Sequence, residues 1–231
     1  MEFLRFCVRN PVPCPLLEVT DAGSPHPTAV ARGADLRTDV PRYRVVRDGV
    51  CVDEPTDICA YWRADLVAFL LGCSFTFEWA LASAGLPLAH QDQGVNVPMY
   101  VTDRECVAAG PFHGPLVVSM RPLPRSDVTA AIDISARFSA MHGAPVHVGD
   151  PAGLGIADLA RPDYGDPVHL SPDDVPVFWA CGVTPQAVAQ RARLPLAIFH
   201  APGHMFITDR THEHYDSAVH EQTTIAPGGQ R

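Results

Sequence analysis

Residues 114–150, GPLVVSMRPLPRSDVTAAIDISARFSAMHGAPVHVGD, decide the fold class. Leu116–Met120 is a short apolar run of strand length. Pro122 and Pro124 are expected to turn the chain. Ser126 is placed to cap a helix running from Asp127 to about Met141. Val128, Ile132, Ser135–Ala136 and Ser139–Ala140 give that helix one small-residue face. Gly143 stops it, and Val146–Val148 reads as the next strand. Strand, helix and strand over this span make a β-α-β unit of a length that suits parallel pairing.

Downstream the rhythm repeats. Val177–Ala180 is a buried strand, and Thr184 with Pro185 starts a helix that ends near Arg193. Leu196–Phe199 is a strand, Gly203 breaks it, and Met205–Thr208 resumes it. Upstream the signals are mixed. Residues 2–9 form a short amphipathic stretch ended by Asn10–Pro11. Residues 12–41 read as ordered loop. Asp48–Gly49 between Arg42–Val46 and Val50–Asp53 predicts a hairpin. Trp62–Leu71 reads as a helix through Leu66, Phe69 and Leu70. Gly72-Cys73-Ser74 breaks it, and Ser74 caps a second helix from Phe75 to about Ala84. Asn96–Tyr100 is extended. The expected division is an irregular α+β part over 1–110, a main sheet region over 111–212 and a flexible tail over 213–231.

Composition narrows the function classes. Hydrophobic residues make up 47% of the 231, enough for a substantial core. The net charge is −9, which argues against a nucleic-acid surface. No run is long and apolar enough to span a membrane. The opening MEFLRFCVRN lacks the parts of a signal peptide, so a cytoplasmic location is expected. The seven cysteines contain no C-x-x-C pair and are expected to be reduced.

In a parallel sheet, ligands gather beyond the C-terminal strand ends. The polar residues there are Arg121; Asp150, with His142 and His147 around its strand; Cys181, Thr184 and Gln186; and His200 with His204. Arg121 suits a carboxylate clamp or a salt bridge. His147 and His204 are candidate acids or bases. His142 sits at a helix end that would favour its charge. The Cys73–Ser74 and Cys181–Thr184 corners offer free N–H groups to an anion and would lower a thiol's pKa, with a buried inert thiol as the alternative. Glu78, among Phe75, Phe77 and Trp79, is a candidate proton donor or acceptor. Asn96 and Tyr100 could orient a ligand. No cofactor is expected, since no dinucleotide or P-loop motif occurs. A divalent metal near His200, His204, Asp209 and Asp150 is the exception kept open.

Several blocks occur in the order found in one family. They are Gly72-Cys-Ser-Phe75, Asn96-Val-Pro-Met-Tyr100, Gly114-Pro-Leu-Val-Val-Ser-Met-Arg-Pro122, His142-Gly-Ala-Pro-Val-His-Val-Gly-Asp-Pro151, Phe178-Trp-Ala-Cys-Gly-Val-Thr-Pro-Gln186 and Pro202-Gly-His-Met-Phe-Ile-Thr-Asp209. Over about residues 1–212 the chain resembles the bacterial hydro-lyases grouped with the D-glutamate cyclases. The resemblance implies an α/β three-layer sandwich, with a mixed or parallel sheet, beside a smaller two-layer α+β domain. It also implies a start a few tens of residues shorter than in other members. The implied activity is a carbon–oxygen lyase releasing water from a small carboxylic or amino acid, with ring closure of D-glutamate to 5-oxo-D-proline as the specific case. A dehydratase of another hydroxy acid and a non-catalytic carboxylate binder are the competing readings. The partner expected is that small molecule, and a homodimer face is left open. Arg121 would hold the carboxylate, His147 or His204 would move protons, and the Cys181–Thr184 corner would donate N–H groups.

Overall fold

A computed structural model describes residues 1–218. The first helix, α1, spans Glu2–Arg9 and ends before Asn10–Pro11, as the sequence predicts. Asn10 then ties it down: its side-chain amide donates to Phe6 O and Val107 O and accepts from Val107 N. The hairpin also forms, as β2 (Tyr43–Arg47) and β3 (Val50–Asp53). Asp48 and Gly49 both take positive φ, 50° and 84°, which is why an Asp-Gly pair sits there.

The stretch read as a helix over Trp62–Leu71 is not one. Cys59–Tyr61 makes a single 3-10 turn, and only Phe69–Leu71 is regular, as strand β4. It pairs antiparallel with β1 (Leu16–Val19), inside the segment expected to be loop. Backbone bonds from Thr20 to Ala68 and from Gly23 to Leu66 extend that pairing. Partners more than forty residues away thus outweigh the helical spacing of Leu66, Phe69 and Leu70.

The main sheet has four strands in the order β5-β6-β8-β7. They are β5 (Met99–Glu105), β6 (Pro115–Pro124), β7 (His147–Val148) and β8 (Asp174–Ala180). All its pairings are antiparallel, which corrects the expected parallel pairing. The crossover is half right. Strands β6 and β7 run the same way, but β8 lies between them and is antiparallel to both. A third sheet, β3-β2-β9, takes in β9 (Ala197–His200). Met205–Thr208 forms no strand.

Pro122 and Pro124 do not turn the chain; β6 runs through both. Pro122 faces Pro176 across the ladder, and Met120 N–H reaches Pro98 on the β5 side. By alternation the two proline nitrogens also face the β5 side, beyond Met99 where β5 begins. No ladder bond is lost there.

Helices α2 (Phe75–Ser83) and α4 (Val128–Ala136) cover one face of this sheet. Phe77, Leu81, Ala131 and Phe138 pack there on Trp179, Val177 and Leu123. On the other face, Leu154, Ile156 and Val168 pack against Tyr100, Met120 and Phe178. The result is a layered α/β sandwich. A short helix α3 (Ala89–Asp92) and the nine-residue α5 (Val183–Arg191) are also formed. Of the expected tail, His212–Tyr215 forms a 3-10 turn, and Asp216 pairs with Arg137 at 3.2 Å; residues 219–231 lie outside the described residues.

Candidate active site

Strand alternation sorts the candidate residues. Ser119 pairs with Trp179 and Arg121 with Val177, so these share the face under α2. Tyr100 pairs with Val118, and His147 with Phe178, on the opposite face. The His147 ring stands 5.8 Å from Phe178, and its Nε2 faces Asp150 O at 2.7 Å. Asp150 caps a short turn by accepting from Ala152 N. Tyr100 donates to Leu159 O and lines a cleft of about 350 Å³ with Asp158, Arg161 and Asp163. The single hollow expected for Arg121 and His147 is therefore split by the sheet itself.

On the α2 face, Arg121 is 0% exposed and Glu78 3%. Arg121 Nε donates to Glu78 Oε1 at 2.7 Å, and Nη2 also bonds that oxygen. Nη2 donates to Ser74 Oγ and Nη1 to Ser119 Oγ, each at 3.1 Å. Gln91 Nε2 donates to Glu78 Oε2 at 2.9 Å, and His90 Nε2 lies 3.4 Å from Oε1. The guanidinium carbon is 5.3 Å from both the Phe77 and Trp179 ring centres. Burial alone would raise Glu78; the Arg121 charge and the His90 ring override it and hold the carboxyl at about 2. Glu78 is thus an ionised partner of Arg121 at neutral pH, and it neutralises the charge expected to clamp a carboxylate.

Above this pair two corners meet. Each is a strand end, a cysteine and a helix start: Leu71-Gly72-Cys73-Ser74 into α2, and Ala180-Cys181-Gly182 into α5. Neither N-cap residue bonds its helix start with a side chain; the Cys73 and Cys181 thiols face the Phe75 and Val183 N–H groups. Ser74 is held instead by Arg121, which leaves its hydroxyl proton to give. A Cβ on Gly72 would meet Ala140 O at 2.1 Å, so only glycine fits there. A Cβ on Gly182 would find its nearest atoms at 3.8 Å, Gly72 O, and 3.9 Å, His142 Nε2. Those distances show that the corners converge. Gly182 and Val183 are partly exposed, so the joint reaches the surface.

Three groups at this joint behave unlike the sequence expectation. Burial pushes the Cys181 thiol up to about 12 and raises Cys73 as well, which leaves both protonated despite the helix starts. His142 is 2% exposed, and burial lowers it to about 4 rather than the helix end favouring its charge. Thr184 serves the backbone: it accepts from Val117 N at 2.9 Å and donates to Val117 O at 3.1 Å. Gln186 donates to His200 Nε2 at 2.9 Å, whose Nδ1 donates to Ala201 O. His204 faces Pro202 O, Asn96 N–H binds Asp166, and Asp209 accepts from Arg32 N. Among the described residues no three His, Cys, Asp or Glu side chains gather as metal ligands.

Sequence reading missed Gly72 as a contact point and His90, Gln91 and Ser119 as partners. Two spacings carried the signal. Ser74 and Glu78 are four apart on one helix, and Ser119 and Arg121 two apart on one strand.

These features define a layered α/β scaffold with paired helix starts facing a buried histidine. The model of the D-glutamate cyclase family matches residues 67–209. A Rubrobacter xylanophilus protein named "Putative hydro-lyase" is 67% identical over 216 residues, 94% of this chain and 83% of its own. Proteins of the same name from Streptomyces avermitilis and Rhodococcus opacus are 64% and 61% identical over 214 residues, 93% of this chain and 78% and 81% of theirs. The chain belongs to the D-glutamate cyclase family. No helix among the described residues is long and apolar enough to cross a membrane.

Proposed function

We propose that this chain is a carbon–oxygen lyase that closes D-glutamate to 5-oxo-D-proline and water at the joint of Gly72–Ser74 and Cys181–Gly182. One observation carries the placement: two nine-residue helices start side by side, and neither N-cap residue bonds its helix start with a side chain. Helix starts offer N–H groups and a positive dipole end. Those are the donors that a tetrahedral oxyanion needs when an amine attacks a carboxyl carbon. Ser74 O–H adds a donor to the same place.

Arg121 takes a different role from the clamp expected of it. Its charge is spent on Glu78, so it acts through Ser74 as a positioning residue. It fixes the start of α2 against the sheet, and the Phe77 and Trp179 rings fix the guanidinium. The family membership supports the reaction class, and the joint supports a small anionic substrate.

Incubating the purified protein with D-glutamate and following 5-oxoproline tests the reading. Product is expected from the D-isomer, with small hydroxy acids left unchanged. A folded protein that makes no 5-oxoproline, or that dehydrates a hydroxy acid instead, would overturn it.

A further inference from the structure

The joint contains one atom that the fold leaves unused. His142 follows the Ser139–Met141 turn at φ 77°, and its Nδ1 lies 2.8 Å from Val12 O. A carbonyl only accepts, so Nδ1 carries the proton and Nε2 carries the lone pair. Among the described residues no group meets Nε2 with hydrogen-bond geometry, although it is buried and the Gly72 backbone lies close enough to act on the ring. Buried polar atoms are nearly always satisfied, and an exception calls for a reason. Nε2 lies 3.9 Å from where a Cβ on Gly182 would stand, at the place where the two helix starts meet.

We infer that His142 Nε2 is the proton acceptor of the ring closure, its lone pair aimed at the joint by the Val12 carbonyl. The inference rests on the reaction proposed above. The substrate ammonium first gives one proton to the carboxyl oxygen that will leave; the freed lone pair forms the C–N bond, and the nitrogen becomes acidic as it does so. One proton passes from it to Nε2 and on to the departing oxygen. A C–O bond breaks, and the two protons shed by the ammonium leave with that oxygen as water. No proton is gained or lost by the protein over the cycle. Burial keeps the ring neutral near pH 7, so the lone pair is available before the substrate arrives.

The test uses His142→Asn. Asparagine tolerates positive φ, and its amide N–H can still reach the Val12 carbonyl, but it places nothing at the Nε2 position. The variant should fold with a Tm close to the parent's. Its kcat should fall by about a hundredfold or more, with KM changed only a few-fold. In the wild-type protein, ¹⁵N-histidine spectra at pH 7 should show a protonated Nδ1 and an unprotonated Nε2 that shifts when D-glutamate is added. An Asn variant with kcat within threefold of the parent's, or a protonated Nε2, overturns the assignment while ring closure stands. A wild-type protein that makes no 5-oxoproline removes the reaction and the proton transfer together.

Discussion

At the scale of the residue, the Glu78–Arg121 pair sets both stability and its pH dependence. Both are buried, so removing one charge strands the other. Glu78→Gln should lower stability by about 3–5 kcal/mol in denaturant unfolding. The sign of the acid response follows from the shifts. Glu78 falls from its ordinary 4.5 to about 2, so the stability it brings is present above about 4.5 and is lost as pH drops toward 2. His142 falls from 6.5 to about 4, and its contribution is present above 6.5 and lost on the way down to 4. Unfolding free energy measured across pH should therefore decline in two overlapping steps below 6.5. His142→Asn should remove the upper step and Glu78→Gln the lower one. A single step below 4.5 in the parent would contradict the buried neutral histidine.

At the scale of the element, corner geometry decides which changes the fold tolerates. Gly182 has φ −62°, which any residue adopts, and a Cβ there would meet Gly72 O and His142 Nε2 at ordinary contact distance. Gly182→Ala should keep the Tm within a few degrees, yet set a methyl group between Gly72 O and His142 Nε2. Turnover should fall at least tenfold, read by KM and kcat together. Thr184→Val is the reverse case. It strands Val117 N–H in the core and should cost about 1–3 kcal/mol. Helix starts were legible, because those signals are local: α2, α4 and α5 each begin within a residue of the expected position. The end of α4 was not, since it stops at Ala136 rather than near Met141, and neither Ser74 nor Ser126 caps its helix with its side chain. Strand partners were not legible either. Whether Phe69–Leu71 joins a helix or pairs with Leu16–Val19 depends on a contact across some fifty residues, which no local spacing encodes.

At the scale of the whole molecule, the sheet separates candidates that sequence order had grouped. Reading Arg121 and His147 as neighbours assumed parallel strands whose ends point one way. Inserting β8 between β6 and β7 leaves both residues on the four-stranded sheet but on opposite faces, because Phe178 and Trp179 alternate along β8. Legibility of the site followed the same line. The Gly-Cys-Ser and Cys-Gly corners could be read as anion cradles, since a helix start is a local feature. His142 stands among the sequence candidates too, but as a helix-end group favouring its charge; its neutral ring and its contacts with Val12 and Gly182 arise only through the tertiary fold. The two histidines therefore make a paired test of the architecture. His147→Ala removes a ring from the Phe178 side and breaks only the bond to Asp150 O. It should leave kcat for ring closure within about twofold, with a modest loss in Tm as Phe178 loses its neighbour. His142→Asn should show the opposite pattern, a near-parental Tm and a collapsed kcat. If His147→Ala abolished turnover in a folded protein while His142→Asn did not, the working face of the sheet would be the Tyr100 side, with the cleft beside Asp158 and Arg161 as its site.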